Sequence, residues 1–187
     1  MAIKLKHSDT YSTYFVTFTC TEWISLFEIT HTYDMVYKWF DILKTKHDAD
    51  VVAYVIMPNH LHVILHFHKA GFNLNTIIAN GKRFMAYEII NRLENKGNRV
   101  LLDHLKSLVT EREKKKEQVH KVFKDSFDAK AIITQPFLLQ KINYIHNNPA
   151  SGKWMLAKDF IEYEHSSASF CEMQLVKHFK PMHYLDL

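Results

Sequence analysis

Val51-Val52-Ala53-Tyr54-Val55-Ile56-Met57-Pro58-Asn59-His60-Leu61-His62-Val63-Ile64-Leu65-His66-Phe67-His68 is the stretch around which this chain is organised. Its first seven residues are β-branched, aromatic or otherwise apolar and are stopped by Pro58-Asn59, the pattern of a buried strand that ends in a turn. A second strand follows at once. Successive side chains of a strand point to opposite faces, so Leu61, Val63, Leu65 and Phe67 go one way and His60, His62, Ile64, His66 and His68 the other. A central strand therefore presents two neighbouring imidazoles, His60 and His62.

Such a pair has two readings. Both rings can be ordinary sheet residues with local hydrogen bonds, which is the common outcome for a short motif. They can also be neutral imidazole ligands for a divalent ion, anchored in the core by the apolar residue between them. Two ligands do not make a site, so the second reading requires a third polar group and a nucleophile elsewhere. His66 and His68 lie four to eight residues from the pair, and at about 3.3 Å per residue they are too distant to supply it.

The 187 residues and 47% hydrophobic content suit one unit with a sizeable core. We read residues 1–187 as a single domain with its core at about 11–168 and a C-terminal extension at 169–187. No repeat or Pro/Ser-rich linker interrupts it. A net charge of +4 is compatible with a polyanionic partner without demanding one. Cys20 and Cys171 are far apart and lack metal-ligand spacing, as expected of free thiols in a reducing compartment. Residues 1–7 contain no apolar leader core, and no stretch approaches the roughly 20 apolar residues of a membrane span. The expectation is a cytoplasmic protein without a membrane partner.

Upstream of the paired strands, residues 11–20 alternate Tyr14, Val16, Phe18 and Cys20 against Phe15, Thr17 and Thr19, the signature of a half-buried strand. Residues 21–27 connect, with Trp23 and Phe27 expected to tuck into the core. Residues 30–47 turn helical, with Val36, Trp39, Phe40 and Leu43 at helical spacing. Downstream, Gly71 marks a loop. Residues 76–95 then form a helix with Ile77, Ile78, Phe84, Met85, Ile89, Ile90 and Leu93 inside and Lys82, Arg83, Arg92 and Lys96 on another side. That basic flank is either solvated or in contact with phosphates. Residues 101–121 read as a third helix, exposed and laced with charged pairs beyond Val109. Val122, Phe123 and Phe127 return to the core, and 131–133 form a short apolar run.

Residues 134–149 should be a helix of about three turns, with Thr134 as its cap, Pro136 in the first turn and Pro149 at its end. Steps of three and four place Phe137, Lys141, Tyr144 and Asn148 on one side and Leu138, Ile142 and Ile145 on the buried stripe. A phenol on a polar helical face is a nucleophile candidate.

Together, Met57-Pro58-Asn59-His60-Leu61-His62, Tyr144-Ile145-His146-Asn147-Asn148-Pro149 and Ser166-Ser167-Ala168 resemble the IS200/IS605-like tyrosine (HUH) transposases, nearest to those associated with repetitive extragenic palindromes. The resemblance runs from about residue 11 to 168. It implies an α+β fold, a ferredoxin-like antiparallel sheet with packed helices and helical extensions, in agreement with the strand-helix-strand-strand-helix order. It also implies Tyr144 as catalytic nucleophile, a metal site on His60 and His62, and Mg²⁺ or Mn²⁺ as cofactor. The third ligand is implied one turn beyond the tyrosine, at Asn148, although Pro149 biases that residue away from helical geometry. His146 is the second choice.

The implied activity is cleavage and joining of single-stranded DNA through a 5′-phosphotyrosine, next to a hairpin gripped by Lys82, Arg83 and Lys141. A homodimer is compatible with it. No nucleotide cofactor is expected, since the four glycines make no phosphate loop. The chain departs from its relatives in carrying Phe123, where they often have Trp, upstream of Phe127-Asp128. Two rivals remain: a nucleic-acid-binding module with structural histidines, and a metal-dependent hydrolase that uses water.

Overall fold

The computed structural model describes residues 11–152 and 154–187. The leader reading of residues 1–7 lies outside them. Four strands form one open antiparallel sheet in the order β2-β3-β1-β4, with β1 at Thr13–Thr19, β2 at Ala49–Met57, β3 at His60–Phe67 and β4 at Asp128–Ala131. Helices pack on both faces, giving an α+β fold. The histidine strand β3 is interior, hydrogen-bonded to β1 on one side and β2 on the other.

Alternation along the strands divides the core in two. Leu61, Val63, Leu65 and Phe67 of β3 join Tyr14, Val16 and Phe18 of β1 beneath the helical layer of α1 (Leu26–Thr30), α2 (Tyr33–His47), α3 (Leu74–Asn95) and α4 (Arg99–Ser107). On the other face a smaller core gathers Phe15, Val55, Met57 and Ile64 with Leu138, Ile142 and Ile145. An irregularity between Val51 and Ala53 shifts the register, so Val52 and Ala53 both join this second core. Strand β1 is thus buried on both faces, with only Thr17 partly open, where alternation alone suggests half burial.

Helix α2 buries Val36, Trp39, Phe40 and Leu43 as their spacing requires. Its neighbour α3 starts two residues earlier than the periodicity indicates, because the Asn73 side chain accepts the Thr76 amide and caps the first turn. The two helices approach closely at Gly81, where a Cβ would stand 2.5 Å from the Trp39 indole nitrogen. Trp23 is not tucked in: the loop residues Glu22 and Trp23 take left-handed φ of 48° and 61°, and the indole is 52% exposed while Phe27 is fully buried.

The expected helix at 101–121 is two pieces, α4 and the single turn α5 (Glu111–Lys114). Thr110 and Glu113 form a reciprocal capping box that starts a new helix where the pattern suggested continuation. Glu113 is itself buried and paired to Lys121 at 2.8 Å, so this part of the charged run is not a solvated face.

Helix α6 (Gln135–Asn147) buries Leu138, Ile142 and Ile145 against β2 and β3 on the second face. A last helix, α7 (Ala168–Met173), is short, since Gln174 turns left-handed and ends it. Ser167 precedes α7 without capping it: its hydroxyl bonds the Tyr54 backbone and His146 instead. The chain beyond α7 also packs on the sheet, where the Met182 amide bonds the Val51 carbonyl and Phe179 meets Phe40. Among the described residues no helix is long and apolar enough to cross a membrane. Cys20 is buried, and both it and Cys171 are free thiols.

Candidate active site

Alternation on β3 turns His60 and His62 toward the α6 face, where both are at least 95% buried with ring centroids 4.7 Å apart. Each is held by its Nδ1. The Asn59 amide nitrogen donates to the Trp23 carbonyl at 2.7 Å, which orients the carboxamide so that its oxygen faces His60 Nδ1, also at 2.7 Å. That oxygen can only accept, so Nδ1 of His60 carries a proton, and Nε2 is the nitrogen left to offer a lone pair when the ring is neutral. His62 Nδ1 meets the Thr17 hydroxyl at 2.6 Å, and the ring stacks on Phe15. Burial, with the charges of His60 and Lys141 adding to it, pushes the His62 imidazole down to about 3, so near neutral pH it is an uncharged donor.

From the opposite element, α6 carries Tyr144 over the pair. Its hydroxyl lies 3.4 Å from His62 Nε2, long for a hydrogen bond but within reach, and its ring meets His62 and Phe15 edge to face. Tyr144 is 48% exposed, whereas both imidazoles beneath it are buried. Both groups belong to one chain.

Asn148 follows one turn later. Its backbone stays helical at φ −55° and ψ −44°, against the bias expected from Pro149, because α6 runs directly into the 3₁₀ turn Asn148–Ala150. Tyr144 and Asn148 therefore share a helical face. The Asn148 side-chain oxygen is buried and has no hydrogen-bond partner, the kind of orphaned acceptor that a native structure rarely leaves unused. His146 faces elsewhere: its Nε2 is 2.9 Å from the Ser167 hydroxyl in the core, and burial pushes its imidazole down to about 4.

No three His, Cys, Asp or Glu side chains gather into a metal-binding group among the described residues. As a donor set, two imidazoles and an orphaned amide oxygen nonetheless suit a divalent ion that takes mixed nitrogen and oxygen ligands, since the third donor can be an amide.

A cleft of about 550 Å³ opens beside these groups, lined by His62, Tyr144, Lys141, Lys124, Lys130 and Trp23 among others, with Asp128 the one carboxylate. The Lys141 ammonium sits over the rings of Phe15, Phe137 and Tyr144 at 4.8, 5.2 and 5.5 Å from their centroids. Burial, followed by the charge of Lys130, lowers its pKa. Lys82 and Arg83 are not in this cleft. They lie on α3, on the other face of the sheet, where Lys82 donates to the backbone carbonyls of Lys124, Asp125 and Ser126 at 2.6 to 3.5 Å. Lys82 thus braces the loop that forms the rim, and burial pushes its ammonium down to about 8. Arg83 is exposed and bonds Asn80 on its own helix.

Sequence reasoning overlooked Asn59, Thr17, Lys124, Lys130 and the exposed position of Trp23. Only Asn59 left a signal, as the polar residue directly before the histidine pair.

No protein-family model matches the sequence, and no curated protein matches it. Among solved structures, the chain is similar to a REP-associated tyrosine transposase bound to a REP hairpin, with a TM-score of 0.62 and 15% identity over 96% of this chain and 92% of the other. It has a weaker likeness, with a TM-score of 0.43 and 14% identity over 73% of this chain and 90% of the other, to a crystal structure named as a candidate transposase from Deinococcus radiodurans R1. At such identities the first likeness is one of fold: the open antiparallel sheet with packed helices is an architecture shared with a tyrosine transposase.

Proposed function

We propose that this chain is a metal-dependent single-strand DNA endonuclease and strand transferase of the tyrosine transposase type. The observation that carries the reading is the approach of the Tyr144 hydroxyl to His62 Nε2 at 3.4 Å, between a helix and an inner strand 82 residues apart in sequence. Two further features support it. The strand-helix-strand-strand-helix-strand order with β1 and β3 inside is the ferredoxin-like arrangement. The similar solved structure holds a REP hairpin, which makes a DNA hairpin beside a single strand the natural partner to test.

In this reading the Tyr144 hydroxyl loses its proton to a local base and its oxygen attacks the scissile phosphorus. The bond from phosphorus to the 3′ oxygen breaks, the 3′ oxygen takes up a proton, and the 5′ phosphate stays on the tyrosine. Attack by a second 3′-hydroxyl reverses the step, so no nucleotide hydrolysis is needed. Lys141 lies against Tyr144 and its positive charge favours the anionic phosphate. His60, His62 and Asn148 would hold the divalent ion, Mg²⁺ or Mn²⁺. When bound, such an ion would supply Lewis-acid polarisation of the phosphate. Asn59 and Thr17 keep the two imidazoles oriented for it. Tyr144 and the pair come from one chain, so the step does not call for a second subunit.

The test is incubation with a 3′-labelled single-stranded oligonucleotide from the flanks of the chain's own gene, hairpin included, with Mg²⁺ and with EDTA. The expected result is a covalent protein-DNA adduct that needs the metal and disappears in Tyr144→Phe, while hairpin binding persists. Cleavage without an adduct would mean a water-using hydrolase. Binding without cleavage would leave a nucleic-acid-binding module.

A further inference from the structure

One residue at the cleft is unexplained by the chemistry above. Trp23 lies in a loop fastened to the start of the histidine strand: the Cys20 amide bonds the Asn59 carbonyl at 2.8 Å, the Phe27 amide bonds the Pro58 carbonyl at 3.0 Å, and the Trp23 carbonyl accepts from the Asn59 side chain at 2.7 Å. Within so rigid a frame, two successive residues adopt left-handed backbone, φ 48° at Glu22 and 61° at Trp23, which costs energy for residues with a Cβ. The result is to hold a large apolar ring out at the cleft, half exposed, rather than in the core beside Phe27.

The surroundings define what such a ring can take. The indole and the His60 ring meet edge to face at 5.7 Å between centroids, so whatever binds the indole is adjacent to the histidine pair. The Lys124 ammonium rests over the indole at 4.4 Å, and Lys130 and Lys141 line the same cleft. An aromatic face flanked by cations, with one carboxylate opposing three ammonium groups, matches a single nucleic-acid strand: bases stack on the ring and phosphates meet the lysines. A duplex is not matched, because its base faces are already stacked. Entry of a strand offers Lys124 a phosphate in exchange for the indole, and a base takes the ring face that the ammonium vacates.

We propose that Trp23 is a stacking platform for an unpaired base of the DNA strand, seated next to the histidine pair. The proposal rests on the reading of this cleft as a DNA site and adds the subsite that grips a base there. Trp23 is a positioning residue: it orders the nucleotide beside the reacting phosphate and does not touch the reacting atoms.

The test uses the full chain in EDTA, so that cleavage plays no part, with fluorescein-labelled dT12 and an abasic single-stranded 12-mer of the same backbone as probes. Trp23→Ala should weaken dT12 about tenfold, Trp23→Phe should restore most of the loss, and neither should change binding of the abasic strand. The backbone carbonyl that holds Asn59 survives both substitutions, and unchanged thermal unfolding confirms the fold. Equal weakening of both probes, unchanged dT12 affinity in Trp23→Ala, or no dT12 binding by the wild-type chain would each overturn the platform. The two proposals fail separately. A chain that forms the tyrosine adduct but whose dT12 affinity ignores Trp23 overturns the platform alone, whereas one that forms no adduct yet loses dT12 affinity in Trp23→Ala overturns the transferase alone.

Discussion

Two His-x-His pairs lie along one chain segment, the first at the start of β3 and the second at its end, where His68 sits one residue past the strand, and they have opposite surroundings. His60 and His62 are buried, fixed through Nδ1 by Asn59 and Thr17, and overlaid by Tyr144. His66 and His68, with ring centroids 4.9 Å apart, are nearly the same in local geometry. Yet His66 is half-buried against the Thr13 hydroxyl at 2.9 Å, and His68 is exposed and paired with Asp50 at 2.7 Å. What separates the pairs is the helix above: α6 lays Tyr144 over the first pair. A motif of three residues therefore says little until the element packed on it is known.

The largest effect should come from replacing one pair or the other. His60→Ala with His62→Ala should reduce Mg²⁺-dependent adduct formation at least a hundredfold, while His66→Ala with His68→Ala should leave it within about twofold. Equal losses in the two double variants would erase the distinction and, with it, the assignment of the first pair.

The orienting residues sharpen the contrast. Asn59→Ala frees the His60 ring without removing a proposed ligand, and should weaken Mn²⁺ binding by about 10- to 100-fold in titration calorimetry. No such loss should follow Thr13→Ala, the corresponding change behind His66.

Protonation separates the pairs next. The folded state lowers the His62 pKa to about 3, through burial first, and lowers that of His66 for the same first cause. An imidazole lowered on folding contributes stability above its unfolded pKa of about 6.5 and loses it as pH falls toward the folded value, because the unfolded chain takes up the proton first. Urea unfolding in EDTA should therefore show stability falling from pH 6.5 toward 4. His62→Gln should flatten that fall by about one proton's worth of slope, and His66→Gln by less. The opposite order would reverse the burial argument.

The smallest effect belongs to His68. Its pairing with Asp50 is partly exposed, so His68→Ala should shift stability by no more than about 0.5 kcal/mol in thermal or urea unfolding.

Much of this architecture was legible because it depends on short-range periodicity. The faces of β3, the buried stripe of α6 and the apolar face of α2 follow from periods of two and 3.6, which are properties of the backbone. Failures fell where local signals compete with a partner that the pattern does not show. Thr110 restarted a helix through its capping box with Glu113, and the Lys121 salt bridge drew Glu113 inward. Lys82 reads as a free cation on a basic flank, but the loop carbonyls at 124–126 claimed it. Trp23 reads as core from its side chain, yet its backbone bonds to Asn59 and its left-handed φ turned it outward.

By itself, then, the order of residues determined strands β1 to β3, the principal helices and which side chains share a face, since those follow from steric rules acting over a few residues; β4, at Asp128–Ala131, was legible only as a short apolar run at 131–133. Only the tertiary structure decided that a phenol on α6 meets an imidazole on β3, that Lys141 and not Lys82 lies in the cleft, and that the Asn148 amide oxygen is buried without a partner. Those outcomes depend on how two elements 82 residues apart pack against one sheet, and no local periodicity encodes the distance between them.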